Sequence, residues 1–437
     1  MEQFVIEGGV RLAGEVKASG NKNAALKLIP ACLLTEEPVT LTNIPDIADV
    51  RTMCELIRGL GVEANWLGEG RLRIHAHTIT STRADPVLAQ KIRASIVLAG
   101  PMLARVGALE LDAPGGDVIG RRRLDTHMLA LKRLGARVEF GDRIRMSAEK
   151  LVGADILLDE ASVTATENAL MAATLATGTT TIRNAACEPH IQDMCHFLVS
   201  LGAQIEGIGS NWLTIHGVER LHGGEFRIGA DFMEVGSLIV AAAVTGGEIR
   251  IKDADPQNLD MIRLIFERLG VTWQVEGQDV IVPRAQALSV LPDIGNRIPV
   301  VKAQPWPAFP TDLMSVALVL ATQSRGAVLF HEWMYDARFF FTDKLTVMGA
   351  RIILCDPHRA LVQGPTLLRG NVTLSSPDIR AGMALLLAAL CAQGTTTILN
   401  IGQIDRGYER VDEKLRVLGA KIERQTIPQE NTVVHIN

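Results

Sequence analysis

Apolar and polar positions follow one recurring order along this chain. Stretches apolar on every side of a helix run over Ala94–Ala104, Ala169–Ala176, Val235–Val244, Leu313–Ala321 and Gly382–Ala392. A helix without a polar face belongs inside a core. Each stretch leads into a glycine and a β-branched run, clearest in Gly178-Thr179-Thr180-Thr181-Ile182-Arg183-Asn184 and Gly394-Thr395-Thr396-Thr397-Ile398-Leu399-Asn400, with looser copies from Gly107, Gly247 and Gly326. That run reads as a strand. An amphipathic helix follows, such as Arg410–Leu418, and closes on a Leu-Gly-Val or Leu-Gly-Ala signature.

The signature occurs six times, at Leu60-Gly61, Leu134-Gly135, Leu201-Gly202, Leu269-Gly270, Met348-Gly349 and Leu418-Gly419. Spacings of roughly 70 residues mark an internal repeat. The glycine suits a helix C-terminal cap, where positive φ is cheap only without a Cβ. The unit is therefore buried helix, glycine turn, strand, amphipathic helix, glycine cap, strand. Six units give an α/β architecture of sheets around buried helices, three units to a half. A solenoid would leave helical faces exposed throughout, which the all-apolar stretches disfavour.

Composition narrows the function. Of 437 residues, 47% are hydrophobic and 21% charged, with a net charge of -5. That balance argues against a surface for nucleic-acid backbones but leaves room for a locally basic cleft. Residues 1–8 lack a basic leader before an apolar stretch, and no apolar run reaches the length of a membrane span. The six cysteines form no CxxC or disulfide-like pattern, so a reduced, cytoplasmic setting is expected. Cys187, His190, Asp193, Cys195 and His196 crowd one segment without a known metal-ligand spacing, and no metal is expected there.

Several segments carry chemistry. Ser19-Gly20-Asn21-Lys22-Asn23 is a glycine turn opening a helix with a lysine at its start, a place that attracts anions. Asp112-Ala113-Pro114-Gly115-Gly116-Asp117 leads into Arg121-Arg122-Arg123, so an acid sits at a loop tip beside three guanidiniums. Phe309-Pro310-Thr311-Asp312 puts a carboxylate at the entrance of a buried helix, where helix capping would also explain it. Arg93, Arg338, Arg380 and Arg406 follow apolar or glycine-rich turns. Together these cations suit a small, multiply charged anion.

In this order and spacing, Lys22-Asn23, the Pro-Gly-Gly loop, Phe309-Pro310-Thr311-Asp312, Asp378-Ile379-Arg380-Ala381 and Asp405-Arg406-Gly407-Tyr408-Glu409-Arg410 resemble the enolpyruvyl transferases, in their UDP-N-acetylglucosamine 1-carboxyvinyltransferase branch. Asn21-Lys22-Asn23 stands where the shikimate-phosphate branch would show Ser-Lys-Ser. The resemblance implies a two-domain inside-out α/β barrel closing over phosphoenolpyruvate and the sugar nucleotide, with no cofactor. It assigns Lys22, Arg122, Arg338, Arg380 and Arg406 to phosphoenolpyruvate and Arg93 to the nucleotide phosphates. Asn23, Asp125, His127, Ser162, Val163 and Met334 match sugar and uracil contacts. Asp312 matches the base that takes the sugar hydroxyl proton, and Asp117 the general acid.

Domain limits are expected where the chain crosses between halves, near residue 20 and near Ala230-Asp231. Residues 1–20 then join 231–437, and 21–230 form the other half, with the catalytic loop at 112–123. Four positions depart from the family pattern. Asp117 replaces the usual cysteine, which implies resistance to epoxides that alkylate that thiol. Arg123 replaces proline, Arg121 adds charge beside it, and Glu160 replaces a frequently basic residue. These bear on the acceptor, so another nucleotide acceptor in secondary metabolism, or a sugar-nucleotide-binding paralogue without turnover, are the competing readings.

Overall fold

The computed structural model describes residues 2–116, 119–120, 122–284 and 286–427. Asp117 and Arg121 therefore lie outside the described residues. Five of the six buried helices are those the apolar stretches indicate. We number the set α1 (Lys22–Ala31), α2 (Ala99–Val106), α3 (Val163–Thr174), α4 (Phe232–Thr245), α5 (Met314–Gln323) and α6 (Ile379–Cys391). Every residue of α6 from Ile379 to Leu390 is buried, as a helix without a polar face requires. The expected helix over 94–104 differs in detail. Residues Arg93–Leu98 wind as a 3₁₀ run before α2 begins.

The strands form six small sheets among the described residues, five of four strands and one of three. Each is open in its hydrogen-bonding order, so the barrel-like enclosure is made of separate sheets around helices rather than one closed ladder. Strand 13–17 runs parallel to 248–252 and strand 39–42 parallel to 224–227, which ties early residues to late ones. Strand 2–7 lies between 395–399 and 421–426, antiparallel to both.

The repeat appears as geometry. Gly61, Gly135, Gly202, Gly270, Gly349 and Gly419 all sit at φ between 90° and 105°. The leucine or methionine before each is essentially fully buried. Asn43, Asn184 and Asn400 end strands at φ 56–57°, and each side-chain amide donates to a carbonyl of a neighbouring strand or its flank.

Two hydrophobic clusters result. One runs from Ala24 to Ile228, the other from Phe4 to Ala18 and from Ala230 to Ile422. The segments that pass between them run side by side. Asn21 N donates to Gly229 O at 2.8 Å, and Asp231 N to Ser19 O at 2.8 Å. Gly20 has no room for a side chain, since a Cβ there would stand 1.6 Å from Asn43 O.

Candidate active site

The three segments carrying Asp312, Arg338 and Arg380 meet in one ion cluster. Asp312 Oδ1 accepts from Arg338 Nη2 at 2.9 Å, while Oδ2 accepts from Arg380 Nε at 3.1 Å and Nη2 at 3.0 Å. Asp312 lies in the short 3₁₀ turn Thr311–Leu313 and caps no helix with its side chain. Helix capping is done elsewhere, by Asp231 on α4 and Asp378 on α6. Burial alone would raise the Asp312 pKa. The charges of Arg380, Arg338 and Lys22 overcome it and hold the carboxyl well below the usual range.

Both guanidiniums are 2–5% exposed. Arg338 Nε and Arg380 Nη1 are buried with no hydrogen-bond partner among the described residues. A buried donor left unmet is unfavourable, and a substrate carboxylate or phosphate meets such a donor well. Tyr335 and Tyr408 flank the two arginines, their ring centres 5.3 Å and 5.5 Å from the guanidinium carbons.

Lys22 and Arg406 converge on a residue that the sequence reading missed. Lys22 Nζ lies 2.8 Å from Asp49 Oδ2, and Arg406 Nε lies 2.9 Å from Asp49 Oδ1. Lys22 and Asp49 belong with the cluster that includes Ala24 and Val50, Arg406 with the one that includes Ile404 and Tyr408. The Lys22–Asp49–Arg406 triad therefore spans the two cores. Asn23 follows Lys22 in the first turn of α1, half-buried beside it.

The loop of residues 112–123 is fastened at both ends. At Gly115 a Cβ would come within 1.6 Å of Gln90 O, and Gly116 adopts φ +102° against the Arg93 backbone. The two glycines thus serve close packing at its base. At its far side Ala337 N donates to Ile119 O at 3.2 Å. Arg93 Nη2 donates to the carbonyls of Arg122 at 2.7 Å and Arg123 at 3.1 Å. Burial, with Arg122 nearby, lowers the Arg93 pKa to about 10.

At the expected acceptor end the residues separate. Arg123 bonds Asp125 at 3.2 Å and Asp159 at 3.4 Å, so this one arginine is shared between two acids. His127 is brought into a helix contact rather than an open cleft. Asn168 Nδ2 lies 2.9 Å from its Nδ1, and Thr164 Oγ1 lies 3.0 Å from Nε2. An amide donor facing Nδ1 places the ring proton on Nε2. Burial drops the His127 pKa to about 3, which keeps the imidazole neutral. Ser162 caps α3 through a 3.4 Å bond from Ala165 N, and Val163 opens that helix, both partly exposed. Met334 N is held by Glu332 at 2.7 Å.

A second polar cluster, also missed, stands within electrostatic reach of the ion site. Lys27 of α1 lies 3.8 Å from Glu167 of α3, both almost wholly buried. Burial pushes each towards its neutral form, and the partner's charge opposes that. Glu188 and His190, from the segment rich in cysteine and histidine, act on Lys27 or feel it. Both oxygens of Glu167, Glu188 Oε2 and both nitrogens of His190 have no hydrogen-bond partner among the described residues.

Burial raises Glu188 from 4.5 to about 7, with the N–H groups of Glu188, Trp306 and Cys187 pulling the other way. Its folded value exceeds the unfolded one. Its contribution to stability is therefore full below pH 4.5 and is lost as pH rises to about 7. The unfolding free energy of the wild type relative to Glu188→Gln is expected to fall across that window and stay flat above it. Urea unfolding of both proteins at a series of pH values checks this, and a difference that never changes with pH contradicts it.

Comparisons with known proteins bear on the family and the fold. Residues 6–415 match the EPSP synthase family, described as 3-phosphoshikimate 1-carboxyvinyltransferase. The UDP-N-acetylglucosamine 1-carboxyvinyltransferase of Bradyrhizobium diazoefficiens is 58% identical, over 97% of this chain and 98% of that one. The protein of the same name from Treponema denticola is 52% identical, over 97% and 99%. Among solved structures, the enolpyruvyl transferase NikO from Streptomyces tendae superposes with a TM-score of 0.87 at 27% identity, covering 98% of this chain and 99% of that one. EPSP synthase from Acinetobacter baumannii shares the fold, with a TM-score of 0.75 at 17% identity, over 98% and 100%.

Proposed function

The chain belongs to the EPSP synthase family of enolpyruvyl (1-carboxyvinyl) transferases, and we propose that it transfers the enolpyruvyl group of phosphoenolpyruvate to the 3-hydroxyl of UDP-N-acetylglucosamine, releasing phosphate. This is the first committed step of peptidoglycan precursor synthesis. The observation that carries the reading is Asp312 seated on two buried arginines, each with one nitrogen, Arg338 Nε and Arg380 Nη1, lacking a hydrogen-bond partner among the described residues. The relatives named for this reaction, at 52–58% identity over nearly their whole length, support the acceptor.

The chemistry follows from those residue types. Asp312, held ionised, takes the sugar hydroxyl proton as that oxygen bonds to the phosphate-bearing carbon. Asp117 delivers a proton to the methylene carbon, giving a tetrahedral adduct with a methyl group. The methyl then returns a proton, the C–O bond to phosphate breaks, and the carbon–carbon double bond re-forms. Lys22, Arg122, Arg338, Arg380 and Arg406 stabilise the carboxylate and the departing phosphate. Arg93 orders the backbone of the 122–123 segment. The two cores support a division into domains 1–20 with 231–437 and 21–230, closing over the substrates to exclude water.

We place the reaction in the cytoplasm. All six cysteines are unpaired, and no helix among the described residues is long and apolar enough to cross a membrane. Phosphate release and product mass, measured with both substrates, test the assignment. A product heavier by one enolpyruvyl group supports it. Release only with another nucleotide transfers the chemistry to that acceptor, for which Arg123 between Asp125 and Asp159 would be the first residue to examine. Binding without release indicates a non-catalytic paralogue.

With an acid at the loop tip, epoxides that alkylate a thiol there are expected not to inactivate the protein, because a carboxylate is the weaker nucleophile. A time course of activity under excess epoxide reads this out. Rapid covalent loss at the loop would overturn it, and near-normal turnover in Asp117→Asn would remove Asp117 as the acid.

A further inference from the structure

The repeat carries one exception, on the outer face of the sheet built from strands Val300–Lys302, Gly326–His331, Arg359–Gly364 and Arg351–Asp356. In each copy the third residue after the glycine that opens the β-branched run lies between two buried residues, so it faces away from the core. It is Glu110, Thr181, Arg250 and Thr397 after Gly107, Gly178, Gly247 and Gly394, but Leu329 after Gly326. The fourth residue after each helix-capping glycine lies on the outermost strand of its sheet. It is Asn65, Glu139, Glu206, Gln274 and Glu423 in five units, but Ile353 in the unit of Gly349.

The register joins these two positions. Val300 pairs with Leu329, Leu329 with Leu361, and Leu361 with Ile353. Another sheet runs Asp155, Thr181, Thr214 and Glu206 across the same place, where this one runs four aliphatic side chains over its full width. Neighbours in such a row stand about 5 Å apart and form one surface. Val300, Leu329 and Leu361 are partly exposed and Ile353 is 63% exposed. Ile298, two residues before Val300, is 52% exposed. Single exposed apolar residues are ordinary, but a continuous band marks a contact surface.

The flanks of the band indicate what covers it. Along one side run Lys302, His331, Arg359 and Asp356, and along the other Ala327, Gln363 and Arg351. Asp356 shares the face of Arg359, whose Nε donates to its Oδ2 at 2.7 Å. Arg351 Nη2 donates to a carbonyl, Pro365 O, at 2.7 Å, and no acid pairs with it among the described residues. A two-fold axis along the band lays one band on another and reverses the flanks. Arg351 of one copy then faces Asp356 of the other, and the pair occurs twice.

We infer that this outer face is a self-association surface, on which a second copy of the chain packs sheet to sheet about a two-fold axis along the aliphatic row. Sheets pack face to face in this way with their inner side chains interleaved. The aliphatic centre excludes water, and the two Arg351–Asp356 pairs at its rim set the orientation.

Sedimentation equilibrium of the full chain, from low to hundreds of micromolar, tests the inference. The wild type is expected to pass from one chain mass to two as concentration rises. Leu361→Glu sets a charge in the middle of the band and should weaken dimerisation by about 100-fold or more, since each copy then buries a charge without a partner. Ile353→Glu puts there the residue that three equivalent strands carry. It should have the same effect, and it carries the test if Leu361→Glu does not fold. A wild type that stays at one chain mass throughout overturns the inference and leaves the band to a different partner. A dimer indifferent to both changes places the contact elsewhere and overturns it too.

Arg351→Asp and Asp356→Arg test the axis. Each alone brings like charges together twice and should weaken dimerisation by about tenfold or more. Mixed in equal amounts, the two variants place opposite charges together at both sites, so the mixture should dimerise near wild-type strength. No recovery on mixing rules out the two-fold arrangement.

Discussion

Asp312→Asn is expected to lower kcat by about one hundred to ten thousand times, the span for loss of a general base, while leaving a folded protein. Asparagine keeps the shape and one acceptor oxygen but cannot take up the hydroxyl proton. The same change has a second effect that separates a base from a structural counter-ion. Arg338 and Arg380 are buried against Asp312, and removing its charge takes from both the carboxylate they pair with. Their affinity for an added anion should rise. Inorganic phosphate or phosphoenolpyruvate should therefore stabilise the asparagine variant against heat more than the wild type, by the usual mass-action relation. A variant with near-normal turnover would end the assignment of Asp312 as base. A variant with lost turnover but no added response to phosphate would mean that the arginines are not the anion site.

Lys27→Met is expected to destabilise the fold by about 3–5 kcal/mol at pH 8, the range for removing one partner of a buried ion pair. Neither oxygen of Glu167 has a hydrogen-bond partner among the described residues. Without Lys27 it must be buried charged and alone or fold protonated. Glu188 adds a like charge nearby, while His190 is held neutral by burial. Because the variant folds best with Glu167 protonated, the loss should be smaller at pH 5 than at pH 8. Lys27→Met with Glu167→Gln should recover most of the stability, since the unpaired charge is gone. Chemical unfolding at the two pH values decides the matter. Equal stability of wild type and Lys27→Met at pH 8 would show that the pair contributes nothing.

The same lysine explains where the sequence was hard to read. Five buried helices were visible as apolar runs, and the glycine caps gave the repeat. Helix α1 was legible as the start of a site but not as the sixth buried helix, because Lys22, Asn23 and Lys27 break its apolar pattern. Their partners, Asp49 and Glu167, lie on other elements, and no local spacing announces them. Asp312, Arg338 and Arg380 were found because their surroundings are distinctive. Asp49 and Glu188 were missed because each is a single acid in an ordinary run, significant only through partners distant in sequence. His127 shows the converse. Its motif was recognised, but the side chain is committed to Asn168 and Thr164 in the interior.

Strand 2–7 has a consequence for how the protein is made. Its partners are residues 395–399 and 421–426, so this strand is made some 390 residues before its neighbours. At about 5–20 residues per second, translation keeps it waiting for roughly 20–80 s. The 24–228 core can assemble in the meantime, because its three sheets need nothing from later in the chain. The waiting segment exposes Phe4, Val5 and Ile6 with unpaired backbone groups, a ready template for another nascent chain. Glu2 and Gln3 before it and Glu7 after it flank that apolar trio with charge and polarity, a built-in guard during synthesis.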